Sequence, residues 1–154
     1  MADDLLPPLV DADAPPAALE APPPDPHHVL VAVALAASTE AASQARHVVR
    51  DLLQQGHRLD MVDTACLLTS ELVANAIIHA DGAVELVVDL DRARLAVEVI
   101  DASSEPPVVI EAEPVEVERL ATSGRGLAMV ARLADAWGVT RVVPGKSVWF
   151  SITA

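Results

Sequence analysis

One predicted helix contains the stretch Leu67-Leu68-Thr69-Ser70-Glu71-Leu72-Val73-Ala74-Asn75-Ala76-Ile77-Ile78-His79, which is mostly apolar. Its strongly polar residues, Glu71, Asn75 and His79, recur every four positions. At about 100° per residue, this spacing forms a narrow polar stripe that drifts by about 40° per step. A carboxylate and an amide between apolar neighbours need polar partners, because their burial is otherwise costly. The stripe therefore predicts a ligand site; the alternative is a solvated helix face with an intrahelical Glu71–Asn75 pair.

Magnesium with attached phosphates is a ligand that suits both groups of the stripe. This ion prefers oxygen ligands and keeps several waters, so the amide oxygen of Asn75 is the candidate metal ligand. The carboxylate of Glu71 could then orient or deprotonate an attacking group, which makes it the candidate catalytic residue.

The segments around this helix predict the rest of a small α/β domain. The valine-rich run Val29–Leu35 is typical of a strand. Two segment pairs predict antiparallel hairpins, residues 84–90 with 94–100, and 137–143 with 147–153 across Pro144-Gly145-Lys146. The predicted helices are one from a cap at Ser38 or Thr39 to Gln55 with Gly56 at its end, one from a cap at Asp60 to about Ala80, and one over residues 125–136.

These elements predict the fold class. The order βααββ, loop, αββ favours a two-layer α/β sandwich, with a mostly antiparallel five-stranded sheet and three helices on one face. The loop, residues 102–123, is rich in proline and glutamate. Such a long excursion in a compact domain is usually functional, so we expect a mobile loop with a role in the site.

The amino-terminal segment differs in composition from the rest of the chain. Eight of the twelve prolines fall between Pro7 and Pro26, mixed with alanine, and residues 1–28 contain six acids. Residues 1–28 therefore predict a disordered Pro/Ala/Asp-rich tail, and residues 29–154 predict one folded domain. A length of 154 residues leaves room for a single core.

The charge of the chain argues against polyanionic partners. Its net charge is −13, so its field repels phosphate backbones and acidic lipid, and we expect no direct binding to nucleic acid or membrane. No signal segment is recognisable, and the apolar stretches look broken before the ~18 residues of a membrane span, which predicts a cytoplasmic protein. Cys66 is the only cysteine, and we expect it to be a buried thiol.

Asp101 directly follows the strand segment Val97-Glu98-Val99-Ile100. A carboxylate at the end of an apolar strand can accept a hydrogen bond from an exocyclic amine such as that of adenine. The alternative role for Asp101 is to cap the turn at Ser103 and Ser104.

A glycine-containing segment, Ser123-Gly124-Arg125-Gly126-Leu127, lies where the third helix is expected to begin. Glycines allow close backbone approach, and free N–H groups at a helix start bind anions, so the segment predicts a phosphate site with Arg125 as a clamp. The alternative is that these glycines are ordinary turn residues. Lys146, the only lysine, could reach phosphate or be solvated in its turn.

Together these motifs resemble the GHKL, or Bergerat, ATP-binding fold of the histidine kinase-like ATPases, over about residues 29–152. The resemblance is greatest to the anti-sigma factor serine/threonine kinase branch, of the SpoIIAB and RsbW type. Ser70 to His79 looks like the N box, Val99-Ile100-Asp101 like the first glycine box, Ser123 to Val130 like the second, and Gly145 to Phe150 like the closing strand. The sequence Asp101-Ala102-Ser103-Ser104-Glu105 lacks both glycines that the broader fold has after this aspartate.

The resemblance implies a role for each candidate residue. Asn75 is implied as the magnesium ligand, Glu71 as the activating carboxylate and Asp101 as the adenine contact. The remaining nucleotide-binding positions that it implies are Gly124, Arg125, Gly126 and the amide of Leu127 at the phosphates, and Ser147 as the support of Asp101. His79 is implied as a wall of the pocket.

The resemblance also implies a function. We expect an ATP- and Mg²⁺-dependent kinase that phosphorylates a STAS-type anti-anti-sigma partner, holds a sigma factor and forms a homodimer. The alternative is a nucleotide-dependent partner-binding module, an anti-sigma module without phosphotransfer.

Overall fold

The computed structural model describes residues 26–79, 82–102, 122–141 and 145–154. The predicted loop at 102–123 and most of the predicted tail lie outside these ranges, apart from the residues at their ends. The elements, in chain order, are β1 (Val29–Leu35), α1 (Ala41–Gln55), a 3-10 turn (Leu59–Met61), α2 (Val62–His79), β2 (Val84–Leu90), β3 (Arg94–Asp101), α3 (Thr122–Leu133), β4 (Ala136–Arg141) and β5 (Lys146–Thr153).

The five strands form one sheet in the order β1-β2-β3-β5-β4, in which every neighbouring pair is antiparallel. Both predicted hairpins are present, since β2 pairs with β3 and β4 pairs with β5. The three helices within the described ranges pack on the sheet through contacts of α1 with β1 and β2, of α2 with β2, β3 and β5, and of α3 with β4. The predicted α/β sandwich is therefore confirmed.

Strand alternation divides the side chains of the central strands between two faces. Val97 and Val99 of β3 are cross-strand partners of Phe150 and Val148 of β5, and all four belong to the core beneath the helices. The same alternation places Asp101 on this face and the residues between, such as Glu98, on the other.

The central helix of the layer is α2, which contacts both α1 and α3. In the described part of the chain it is also the one helix long and apolar enough to cross a membrane by length and composition, over Leu59–Ile78 with a mean hydropathy of 1.4. The expectation that apolar stretches are broken before this length is therefore wrong. Packing on three sides explains the apolar composition, because half of this window is buried inside the fold.

The starts of the first two helices differ from the predicted caps. The N-cap of α1 is Glu40, which makes no side-chain cap, while the hydroxyl of Ser38 accepts a hydrogen bond from the Glu40 N–H at 3.3 Å. Asp60 lies inside the 3-10 turn before α2, and its carboxylate accepts a hydrogen bond from Arg58 Nε at 3.4 Å. A short turn precedes each of these helices, so both begin later in the chain than the predicted caps imply.

Gly56 ends α1 as predicted, but close packing against the sheet, rather than a positive φ, explains why this residue is a glycine. Gly56 is the C-cap, with a φ of −79°, and the residue after it, His57, has a positive φ of 56°. A Cβ on Gly56 would lie 3.2 Å from Leu90 Cδ2, so glycine allows the helix end to approach the sheet.

The third helix begins and ends three residues earlier than predicted, at Thr122 and Leu133. Asp135 accounts for the early end. Its N–H donates to the carbonyl of Ser151 at 2.9 Å, and its carboxylate accepts a hydrogen bond from the hydroxyl of Thr153 at 2.8 Å. These contacts bring the chain onto the sheet, so that β4 starts at Ala136.

Candidate functional site

The polar stripe of α2 lies mainly inside the protein. Asn75 is only 2% exposed and Glu71 is half-buried, whereas the side chain of His79 lies outside the described part of the structure. The flanking apolar residues Leu67 and Ile78 are 40% and 60% exposed. The alternative of a solvated helix face is therefore wrong for Asn75, because its amide is enclosed while two apolar neighbours are exposed.

The amide oxygen of Asn75 is a buried acceptor to which no residue in the described part of the chain donates. Among the described residues, none donates a hydrogen bond to Asn75 Oδ1, although this atom is buried. A buried polar atom left without a partner costs about 1–3 kcal/mol, so such an atom points to a ligand that completes it.

A magnesium ion fits this donor set. The described residues contain no group of three or more His, Cys, Asp or Glu side chains that could hold a metal alone. Magnesium is often bound through one or two protein ligands together with phosphates and waters, and a neutral amide oxygen is one of its ligand types. Asn75 would hold the ion, which would in turn draw together the phosphates of a nucleotide.

The contact between Glu71 and Gly126 joins α2 to α3. A Cβ on Gly126 would fall 3.2 Å from Glu71 Cβ and closer still to its carboxylate oxygen Oε2. Gly126 is buried, so the absence of its side chain makes room for the Glu71 carboxylate between the two helices. The glycine thereby determines where this carboxylate lies.

The neighbouring helix α1 fixes α2 at the residue before Glu71. Arg46 Nη1 donates a hydrogen bond to Ser70 Oγ at 3.0 Å, and that hydroxyl donates to the carbonyl of Cys66 at 2.8 Å. The thiol of Cys66 is buried, as expected, and its burial raises its pKa above the ordinary value. These contacts hold the backbone of α2 from the side opposite to α3.

The predicted phosphate segment lies within the first turns of α3. Because the helix begins at Thr122, the N–H group of Gly124 is among the four that a helix leaves without an intrahelical acceptor, and the N–H groups of Gly126 and Leu127 come after them. The side chain of Leu127 is fully buried in the core. The side chain of Arg125 lies outside the described part, so its role at the phosphates stays a prediction, as do the contacts of these amides.

Asp101 ends β3 on the helix-facing side of the sheet and is 3% exposed. Its cross-strand partner is Lys146, the first residue of β5, and Lys146 Nζ lies 3.4 Å from Asp101 Oδ1. The lysine is therefore neither solvated nor in the hairpin turn, but forms a buried ion pair with the predicted base-binding carboxylate. Its contribution could not be inferred without the register of β3 and β5.

Ser147 does not support Asp101, which corrects the role that the resemblance implied. In the observed register Ser147 is opposite Ile100, so its side chain is on the sheet face away from Asp101. There its hydroxyl donates a hydrogen bond to Glu98 Oε1. Burial raises the pKa of Glu98 above its ordinary value, and the hydrogen bond from Ser147 opposes this effect.

Gly145 permits the close approach of β5 to the end of β3. A Cβ on this residue would lie 2.6 Å from the Cα of Ala102 and closer still to the carbonyl oxygen of Asp101. Any side chain here would push the backbone at Asp101 away from the strand. The turn Pro144-Gly145-Lys146 was recognisable in the sequence, but this contact across 44 positions was not.

A cavity of about 490 Å³ lies at the opposite end of the sheet from Asp101. It is lined by residues near the end of α1 and by the β2–β3 turn, including Arg58 and Arg92. No predicted site residue lines it. The cavity is therefore separate from Glu71, Asn75 and Asp101.

The fold and the enclosed polar groups define this protein as a two-layer α/β ligand-binding domain. Residues 35–152 match the family model of the histidine kinase-like ATPase domain, and since this match covers most of the chain, the protein belongs to that family. No curated protein matches the chain. Membership of the family supports ATP binding with a regulatory role, and an ATP-dependent kinase or ATPase activity. The predicted resemblance to the GHKL fold is thus confirmed at the level of the family.

Proposed function

We propose that this protein is an anti-sigma factor-like serine/threonine kinase that binds Mg-ATP and phosphorylates a STAS-type anti-anti-sigma protein. The observation that carries the proposal is the amide oxygen of Asn75, which is buried and accepts no hydrogen bond from the described residues. It lies one helical turn from the half-buried carboxylate of Glu71. This pairing suits a metal-bound triphosphate with a general base beside it.

In the proposed reaction, Glu71 accepts the proton of a serine or threonine hydroxyl on the partner. The hydroxyl oxygen forms a bond to the γ-phosphorus, the bond from that phosphorus to the bridging oxygen breaks, and ADP leaves with the electron pair. Magnesium, when bound through Asn75, would neutralise negative charge of the phosphates. Asp101 receives the amine of the base, and the close contact with Gly126 keeps the Glu71 carboxylate in place.

The proposed regulation follows from charge. A phosphorylated serine or threonine gains close to two negative charges, and this chain carries a net charge of −13. We propose that the phosphorylated partner is repelled and releases the kinase, which is then free to hold a sigma factor.

The proposal places this kinase in the cytoplasm as a homodimer, without nucleic acid or membrane as a direct partner. Sedimentation equilibrium tests the dimer, because a mass equal to the 16.1 kDa of one chain at all concentrations would contradict it.

The experiment is transfer of labelled γ-phosphate from ATP to candidate STAS-domain proteins. We expect transfer by the wild type and its loss in Glu71→Gln. The matched control is Glu85→Gln, which changes an exposed glutamate of β2 in the same way and should leave transfer intact. Tight nucleotide binding without transfer to any STAS protein would favour the partner-binding module instead, and no nucleotide binding at all would overturn both.

A further inference from the structure

The buried ion pair between Lys146 and Asp101 is the feature from which this inference starts. The two side chains are 5% and 1% exposed, and Nζ lies 3.4 Å from Oδ1. Lysine is almost never buried to this degree unless it is paired, because desolvation of an ammonium group is costly. Lys146 is also the only lysine of the chain, so the chain's single ammonium side chain is the one that is buried beside Asp101.

We propose that Lys146 is a specificity-determining residue of the base pocket: its Nζ donates a hydrogen bond to the ring acceptor beside the amine that Asp101 receives. This inference rests on the proposed function, since it requires that a purine nucleotide binds at Asp101. The hydrogen bond from Lys146 is a second contact to the base, and the sequence pattern alone predicts a turn for this residue.

The hydrogen-bonding capacity of the pair supports this arrangement. An ammonium group has three donors and a carboxylate has about four acceptor positions, so the ion pair leaves Lys146 with donors to spare. The pair thus presents an acceptor and a donor side by side. Adenine presents the complementary order, an exocyclic amine that donates and the adjacent ring nitrogen N1 that accepts.

The same order discriminates against a 6-oxo purine. In the same orientation, such a base would turn a carbonyl oxygen toward the carboxylate of Asp101 and an N–H group toward the ammonium of Lys146. Both contacts are then unfavourable, and buried polar groups left without partners produce strong discrimination.

The position of Lys146 is fixed by the backbone around it. It follows Gly145, whose missing side chain lets the strand start close to Asp101 and Ala102, and it pairs with Asp101 in the register. A ligand that reaches the carboxylate of Asp101 is therefore also near the end of the Lys146 side chain.

The experiment compares dissociation constants by calorimetry for ATP and for 1-deaza-ATP, in which a C–H group replaces the ring nitrogen N1. We expect the wild type to bind 1-deaza-ATP about tenfold or more weakly than ATP, because a hydrogen bond from a charged donor is lost. In Lys146→Met the two affinities should become equal. The matched control is Arg141→Met, which removes an exposed cation of β4 directly opposite Lys146 and should keep the wild-type ratio.

The wild-type ratio can overturn the inference even where Lys146→Met is too unstable to study, because that measurement needs no variant. ATP binding with equal affinities for the two analogues, or a ratio that survives in Lys146→Met, would overturn the inference and leave the proposed function standing. Tighter binding of GTP than of ATP would also overturn the inference, since Asp101 and Lys146 would then favour a 6-oxo purine. Failure to bind any purine nucleotide would overturn the proposed function together with the inference.

Discussion

Gly126 of α3 packs directly on the carboxylate of Glu71 of α2, at a distance that leaves no space for a Cβ. The glycine therefore joins the two helices at the residue that we propose as the general base. A substitution at Gly126 tests this contact while the carboxylate of Glu71 itself stays unchanged.

We expect Gly126→Ala to lower both stability and phosphate transfer. Alanine is a better helix former than glycine, so without the contact it would stabilise α3 by about 1 kcal/mol. Because the added methyl group meets Glu71, we expect instead a loss of about 1–3 kcal/mol in the free energy of unfolding. Chemical denaturation and the transfer assay measure the two effects.

The control for this substitution is Gly82→Ala. A Cβ there would meet no atom within 4 Å, and no glycine in the described ranges has a positive φ. We expect a stability equal to the wild type or higher by up to about 1 kcal/mol, with unchanged transfer. Equal behaviour of the two variants would contradict the packing role of Gly126.

Asn75→Leu should stabilise the unliganded protein and abolish its response to nucleotide. The substitution replaces a buried oxygen, to which no described residue donates a hydrogen bond, by a carbon of similar size, so we expect a gain of about 1–3 kcal/mol. The wild type should gain about 2.7 kcal/mol from Mg-ATP at about 100 times its dissociation constant, and the variant nothing. Thermal unfolding with and without ligand measures both.

Thr69→Val is the matched control on the same helix. The hydroxyl of Thr69 is also buried, and no described residue forms a hydrogen bond with it. This variant should be stabilised as well but should keep the nucleotide response. Loss of the response in both variants would mean that repacking of α2, rather than a missing ligand atom, explains the result.

Gly145→Ala should weaken nucleotide binding about tenfold or more, because the methyl group would overlap the carbonyl oxygen of Asp101 and displace the backbone there, which misplaces the carboxylate that we propose to bind the base. Gly138→Ala is the comparison, since its Cβ would lie 2.8 Å from the ring of Trp149 in the same hairpin. Both should be destabilised, but Gly138→Ala should keep the nucleotide affinity of the wild type. Calorimetry below the unfolding temperature distinguishes the two.

Glu98 predicts a pH dependence of stability. Burial raises its pKa in the folded state above the ordinary 4.5, and the nearby charge of Glu85 acts in the same direction. The folded protein then binds more protons than the unfolded chain between these two pKa values, so this residue makes stability rise as pH falls toward 4.5. Glu98→Gln should remove this contribution and stabilise the protein at neutral pH.

The substitution Ser147→Ala checks the sign of the Glu98 effect. It removes the hydrogen bond that lowers the pKa of Glu98, so the pH dependence should become steeper. Thermal unfolding from neutral pH to about pH 5 measures both variants. An unchanged slope in Glu98→Gln would contradict the assignment.

Much of the fold could be predicted from local patterns. The strands 29–35 and 84–90 have the predicted bounds, because a valine-rich run in the first and alternating residues in the second change to turn residues at the strand ends. The end of α3 was placed too late, since Asp135 ends the helix by contacts with Ser151 and Thr153, far away in the chain.

The site was only partly predictable, for a related reason. The four-residue spacing of Glu71 and Asn75 is a local signal, and the burial of Asn75 agrees with it. Which side chain lies beside Asp101 depends instead on the register of two strands separated by a long loop. The resemblance implied Ser147 for this position, but neighbouring residues of a strand lie on opposite faces, and the observed register places Lys146 beside Asp101.

The most direct test of the central claim is a calorimetric titration of the wild type and Asn75→Ala with ATP, in magnesium and in chelator. We predict that magnesium tightens ATP binding by the wild type at least about tenfold and has no such effect on Asn75→Ala. Absence of heat with wild type and Mg-ATP, or equal magnesium dependence of the two proteins, would contradict the claim that a metal-bound triphosphate completes Asn75.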